Sequence, residues 1–174
     1  FINFTLKGDW LTKQVDSILV AGDSYGNIEL GEGRRVQLEF VSVNPTGPLH
    51  VGHGRGAVLG STLANVLAAA GYNVEKEYYI NDFGNQIDAF HRSLYARYQQ
   101  CLKIDAEMPS DGYFGSYMID LAKEIIADEG DRFLTPPEPK AVSQLGQLSL
   151  DRMIKQIKSD LELLRVNFDV WFSE

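Results

Sequence analysis

Apolar residues recur along the chain with two spacings, and the spacing predicts which segments form strands and which form helices. Alternating or short continuous apolar runs, typical of strands, mark four segments: 1–7, 35–43, 74–80 and 166–172. Apolar residues three or four positions apart, typical of amphipathic helices, mark five more: a helix capped by Asp9, one from about 50 to 70, and 85–98, 113–128 and 150–164.

The order of these elements indicates an α/β fold with a parallel sheet. Strand, loop, helix and strand follow one another between residues 35 and 80, which is the βαβ pattern of parallel strands joined by a crossover helix. Gly71 is the expected residue after the end of that helix. The predicted apolar face of the helix from about 50 to 70 comprises Val58, Leu59, Leu63, Val66 and Leu67.

Loops are predicted where glycine and proline cluster. The segment 22–33 is glycine-rich and is interpreted as a domain boundary, 44–48 is a Pro/Gly loop, and 134–139 is a proline-rich break. Neither end of the chain has the features of a natural terminus, so both are interpreted as cut points.

Composition excludes some classes of protein. The chain is 44% apolar and 23% charged, as expected for a packed globular core, and it contains no apolar run long enough to span a membrane. Its net charge of −8 argues against nucleic-acid binding over the whole surface. A single cysteine, Cys101, allows no intrachain disulfide and favours a reducing compartment; we interpret it as a small packed side chain.

The segment with the clearest chemical signal is His50-Val51-Gly52-His53. It follows a strand and a Pro/Gly loop and opens a helix, where free backbone N–H groups and the helix dipole favour phosphate. Two histidines three positions apart project from the same side of the first turn and can donate to a phosphate as charge builds there. Gly52 would let a flat base approach the backbone.

Two other interpretations of the histidine pair stay open at this point. Paired histidines on a helix can bind zinc, but a zinc site needs at least a third ligand, and His91 and Cys101 lie in no metal-like cluster. The pair could also cap or pack the helix. We expect no protein-ligated metal.

The segment 39–56 resembles the signature of bacterial arginyl-tRNA synthetases, which are class I enzymes. The resemblance continues at 71–72, 77–87 and 168–174, so it is scattered over most of residues 35–174. A bare His-x-Gly-His would indicate only a nucleotidyl-transferase superfamily. The preceding Glu-Phe-x-Ser-x-Asn-Pro-x-x-Pro-Leu string is much more specific. The resemblance implies a Rossmann-like half-sheet with a helical insertion.

The resemblance also implies an ATP site. His50 and His53 would stabilise the α-phosphate of ATP during adenylate formation, and Gly52 would lie under the adenine. Pro48 would belong to the same site. ATP would bind with Mg²⁺ as a substrate.

The resemblance, together with the chemistry of the side chains, suggests five residues that bind the arginine substrate. They are Glu39, Ser42, Asn44, Asp82 and Gln86. Carboxylates suit a guanidinium group, which pairs with them through two hydrogen bonds. Two of these positions have a plainer interpretation, because Glu39 can be an exposed strand residue and Asp82 can cap the following helix.

By the same resemblance, the chain divides into four parts. Residues 1–24 are the expected tail of an N-terminal tRNA-contacting domain, 25–34 a linker, 35–100 the first half of the catalytic domain, and 101–174 an insertion with the start of the return to the sheet. The second half-sheet is not expected here. Nor is its Lys-rich loop, since the nearest run, 155–160, fits a solvated helix face.

The expected function of the whole protein is the ATP-dependent ligation of L-arginine to tRNA(Arg). The protein is expected to be a monomer in the cytoplasm. The chain alone is expected to be inactive. Two alternatives remain open. One is another nucleotidyl transferase with a His-x-Gly-His segment, such as a small-molecule adenylyl- or cytidylyltransferase. The other is a non-catalytic, synthetase-like domain that binds tRNA.

Overall fold

Three parallel strands form the single sheet of the computed structural model, which describes residues 1–174. The strands are β1 (Arg35–Glu39), β2 (Asn73–Ile80) and β3 (Val170–Ser173). Strand β2 lies in the centre and pairs in parallel with both neighbours. The predicted α/β fold with a parallel sheet is therefore confirmed.

Five helices accompany the sheet, and two short 3-10 turns lie at 22–24 and 132–134. Helix α2 joins β1 to β2, whereas α3, α4 and α5 lie between β2 and β3 in the chain. The helices are α1 (Gly8–Ala21), α2 (Val51–Ala69), α3 (Asn85–Cys101), α4 (Ser116–Glu129) and α5 (Glu138–Leu163).

The predicted strand at residues 1–7 is wrong. These residues form no regular structure and are exposed, because no other strand pairs with their backbone. Helix α1 follows with Lys7, not Asp9, at its N-cap, and Asp9 lies in the first turn. No residue of α1 is buried, so its apolar side faces outward.

The other boundaries differ from the prediction by several residues. Strand β1 ends at Glu39 because Val41 and Ser42 adopt positive φ angles of 67° and 43°, which a strand cannot contain. Strand β3 begins only at Val170. Helix α5 begins at Glu138, well before the predicted start, and takes in the end of the proline-rich break.

Helix α2 packs on the sheet through small residues. Ala57 and Ala64 are buried, whereas the predicted apolar face is mostly exposed, with Leu59 65% accessible. A Cβ added to Gly60 would lie 2.2 Å from Cγ of Phe40, so the helix backbone approaches the end of β1 too closely for a larger side chain. Small residues therefore determine which side of α2 faces the sheet.

Two apolar clusters hold the structure together. The larger one lies among α3, α4 and α5, with Phe90, Leu94 and Met118 fully buried. The smaller one lies against the sheet and includes Tyr78 and Leu161. Helix α5 contributes residues to both clusters and so joins the helical bundle to the sheet.

The glycine-rich segment before β1 is anchored to the turn between α2 and β2. Three backbone N–H groups from residues 28–33 donate to the carbonyls of residues 69–71 at 2.7–2.9 Å. Gly71 ends α2 with φ of 85°, as expected of a glycine after a helix end. None of the five helices is both long and apolar enough to cross a bilayer.

Candidate active site

The two histidines of His50-Val51-Gly52-His53 cap the amino end of α2 and face each other. The N–H of Gly52 donates to Nδ1 of His50 at 3.1 Å, and the N–H of His50 donates to Nδ1 of His53 at 3.4 Å. Their rings stack with centroids 3.5 Å apart. Because each Nδ1 accepts a hydrogen bond, the proton of each neutral ring is on Nε2.

These contacts leave both Nε2–H groups free to donate beyond the helix end. Burial, and then the neighbouring His50, lower the pKa of His53 below its ordinary value of 6.5, which favours the neutral ring at pH 7. A Cβ on Gly52 would lie 3.0–3.1 Å from the His50 ring, so this glycine leaves room for the imidazole. The capping role and the proposed phosphate role therefore use different nitrogens.

The chain leaves β1 through a strained turn. Val41 is β-branched and Ser42 follows it, both with positive φ, a conformation that such residues rarely adopt. The Ser42 hydroxyl accepts the N–H of Tyr79 at 3.1 Å and so ties the turn to β2. Ser42 is thus used for holding the backbone at the carboxyl end of the sheet.

Tyr78 is a site residue that the sequence did not reveal. Its hydroxyl donates to the carbonyl of Val43 at 3.0 Å and accepts the N–H of the same residue at 3.2 Å. Burial raises the pKa of Tyr78 to about 12, so the hydroxyl keeps its proton. A residue of β2 gives no local signal in the sequence that its side chain bonds to a distant loop.

Two of the predicted substrate residues are in contact across the carboxyl edge of the sheet. The side-chain amide of Asn44 donates to Oε1 of Gln86, although 42 residues separate them in sequence. The capping interpretation of Asp82 is wrong, since Gly84 is the N-cap of α3 and no side chain caps the helix. Asp82 instead accepts the Ser173 hydroxyl at 2.6 Å.

Acidic groups surround Tyr79 at the same edge. Burial and the nearby carboxylates of Glu174, Asp82 and Glu39 raise the pKa of Tyr79. None of these three carboxylates forms a salt bridge, because the ion pairs of the structure all lie elsewhere, at Arg92, Arg132 and Arg152. The edge therefore carries uncompensated negative charge.

The remaining candidates lie at the periphery of this edge. Pro48 and Glu39 are exposed, whereas Pro45 and Thr46 of the same loop are buried. The Lys-containing run at 155–160 lies on α5 with its lysines exposed, which confirms a solvated helix face. No three His, Cys, Asp or Glu side chains are arranged to hold a metal ion.

The parallel sheet and the paired histidines at the start of the first crossover helix are features of the class I tRNA synthetases. Residues 14–163 match the family described as tRNA synthetases class I (R), catalytic domain. The chain belongs to this family.

Relatives of known name support the assignment. The chain is 59% identical to the arginine–tRNA ligase of Dehalococcoides mccartyi and 47% identical to that of Bacillus subtilis, each over all 174 residues. It spans only 31% of the length of either protein.

Solved structures agree with this assignment. A Campylobacter jejuni structure described as an arginyl-tRNA synthetase superposes with a TM-score of 0.82 at 35% identity, over 97% of this chain and 37% of that one. The Thermus thermophilus arginyl-tRNA synthetase, at 22% identity, a TM-score of 0.56 and coverage of 99% and 28%, shares the fold.

Proposed function

We propose that this chain carries one half of the active site of an arginine–tRNA ligase. In the complete protein, that half binds the α-phosphate of ATP and part of the arginine substrate. The observation that carries the proposal is the capping arrangement of His50 and His53, which directs two Nε2–H donors away from the amino end of α2. The alternative of a general nucleotidyl transferase would not need the acidic edge around Tyr79.

The chemistry of the first step suits a site without a protein nucleophile. A carboxylate oxygen of arginine attacks the α-phosphorus of Mg-ATP, the bond to the bridging oxygen of the β-phosphate breaks, and pyrophosphate leaves. Negative charge on the non-bridging oxygens is stabilised by the histidine donors and the helix dipole. Positioning and charge stabilisation account for the rate enhancement.

The amino-acid specificity follows from the uncompensated charge at the sheet edge. A guanidinium group is planar, always charged and pairs well with carboxylates. Asp82 and Glu39 supply carboxylates close to Tyr79, and the bonded pair of Asn44 and Gln86 supplies amide groups. We propose these residues, with Ser42 holding the turn, as the arginine-binding part of the site.

The second step involves tRNA(Arg). A ribose hydroxyl of the 3′-terminal adenosine attacks the carbonyl carbon of arginyl-adenylate, AMP leaves, and arginine becomes esterified to the tRNA. Mg²⁺ accompanies ATP as part of the substrate and no metal is ligated by the protein alone. We propose that the complete protein is a monomer in the cytoplasm. We also propose that residues 1–24 end an N-terminal domain, 25–34 are a linker, 35–100 are the first half of the catalytic domain and 101–174 are an insertion with the start of the return to the sheet.

Charging of tRNA tests the proposal. The complete protein is incubated with ATP, Mg²⁺, labelled arginine and a tRNA(Arg) transcript, and acid-precipitable label is counted. We expect ATP-dependent label in tRNA(Arg) and none in a tRNA for another amino acid. Absence of label with folded protein would contradict the proposed function and favour the non-catalytic alternative. ATP–pyrophosphate exchange that requires neither arginine nor tRNA would favour another nucleotidyl transferase.

A further inference from the structure

Two tyrosine hydroxyls hold the loop between β1 and α2 at two points. Tyr78, from the sheet, bonds both backbone groups of Val43. Tyr117, from α4, donates to the carbonyl of Thr46 at 2.8 Å across 71 residues of sequence. Only the second of these ties the loop to the helical bundle.

The ring of Tyr117 fits between two glycines. A Cβ on Gly47 would lie 3.3 Å from its Cζ and hydroxyl oxygen, and a Cβ on Gly115 would lie 2.5 Å from Cε1. The absence of side chains at both positions lets the half-buried ring lie flat against the loop. The ring therefore has little freedom to move relative to the loop.

The contact of Tyr117 with Thr46 lies close in sequence to the amino end of α2. Thr46 is buried and lies four residues before His50, the N-cap of α2. On the other side, Met118 next to Tyr117 is fully buried in the cluster among α3, α4 and α5. Burial raises the pKa of Tyr117 to about 12, so its hydroxyl remains a donor at neutral pH.

We propose that Tyr117 is a positioning residue through which the helical bundle fixes the loop that carries His50. The inference rests on the proposed function, because its consequence is the alignment of His50 for adenylate formation. Loss of the hydroxyl should misplace the histidine more than the arginine site, because Val43 and Asn44 in the same loop keep their own bonds to Tyr78 and Gln86. The bundle, inserted between β2 and β3, thereby acts on the chemistry of the site.

The test compares two conservative variants in the complete protein. Tyr117→Phe removes the hydroxyl and keeps the ring, whereas Tyr113→Phe removes a hydroxyl of the same bundle that makes no protein hydrogen bond in the structure. ATP–pyrophosphate exchange that depends on arginine is measured with tRNA(Arg) present. In this assay Tyr117→Phe should lower kcat about five- to tenfold. The KM for arginine should stay within about twofold, and Tyr113→Phe should match the wild type.

A double-mutant cycle then separates positioning from general destabilisation. If Tyr117 acts through His50, Tyr117→Phe should cause little further loss of kcat in a His50→Ala background. A full five- to tenfold loss there, or an unchanged kcat in the single variant, would overturn the inference while leaving the proposed function intact. Absence of exchange and of tRNA charging by the wild type would overturn both.

Discussion

Single residues of the site do two tasks at once. Each histidine uses Nδ1 to cap α2, which leaves Nε2–H for the proposed contact with phosphate, and Gly52 makes room for the His50 ring. The sequence left capping open only as an alternative to the phosphate role, although capping depends on neighbours within one helical turn.

Loss of one histidine donor should affect the chemical step. We expect His53→Ala in the complete enzyme to lower kcat of ATP–pyrophosphate exchange about 10²-fold or more, the scale of removing one transition-state donor. Asn65→Ala, on an exposed position of the same helix, is the matched control and should retain wild-type activity. A kcat of His53→Ala equal to that of the control would remove His53 from the mechanism.

The tyrosine contacts could not be predicted from sequence. Tyr78 and Tyr117 bond to backbone groups 35 and 71 residues away, and nothing near either tyrosine indicates such a partner. The same holds for the contact of Asn44 with Gln86, which the family resemblance suggested only by naming both residues. The positive φ of Val41 was also invisible, since no glycine marks the turn.

At the level of elements, close approach of backbones decides how helices meet their neighbours. Periodicity predicted the helices within a few residues, except for the start of α5. It could not predict which side of α2 faces the sheet, because the buried side consists of alanine and glycine and has little apolar surface. The packing of α2 thus depends on small residues that let its backbone approach the sheet closely.

Gly60 provides a test of this packing. Gly60→Ala should lower the free energy of unfolding by about 1–2 kcal/mol, because a clash with Phe40 outweighs the gain in helix propensity. Gly56→Ala, on the same helix with no neighbour within 4 Å of the added Cβ, should be neutral or stabilising. Equal urea midpoints for the two variants would show that α2 is not held against Phe40.

His91 on α3 predicts a pH dependence of stability. Its ring packs against α5, where a Cβ on Gly146 would lie 2.2 Å from Cγ of the imidazole, and Nε2 is buried without a partner. Burial lowers the pKa of His91, and Asp88 acts weakly in the opposite direction. The unfolded chain therefore binds a proton first as pH falls below about 6.5, and the folded state loses stability.

The measurement is the urea midpoint between about pH 6.5 and about pH 5.5. The wild type should lose stability over this range more steeply than His91→Phe, which keeps a ring but cannot titrate. The other histidines titrate in both proteins, so the difference isolates His91. Identical pH slopes would contradict a depressed pKa at this position.

At the scale of the whole molecule, α5 joins the two apolar clusters. The candidate site lies at the carboxyl edge of the sheet. The chain spans 31% of the arginine–tRNA ligases it resembles, and its sequence contains no Lys-x-Ser-Lys-like loop. The family resemblance implies that such a loop contacts the ATP phosphates from the other half of the site. We therefore propose that the residues here supply only part of the catalytic apparatus.

The isolated chain should consequently form no arginyl-adenylate. The chain is incubated with ATP, Mg²⁺, labelled arginine and tRNA(Arg), and the adenylate is sought by thin-layer chromatography beside the complete protein as positive control. Circular dichroism of the same sample verifies that the helices are formed. Turnover by the isolated chain would refute the division of the site into halves.

We propose that this site recognises the positive charge of arginine when the complete protein activates the amino acid. ATP–pyrophosphate exchange by the complete protein, with tRNA(Arg) present, should be measured with arginine and with citrulline, its uncharged isostere. We predict exchange with arginine and at least about 10²-fold lower kcat/KM with citrulline, as expected when carboxylates placed to pair with a guanidinium lose their partner. Equal exchange with both amino acids, or exchange with neither, would contradict it.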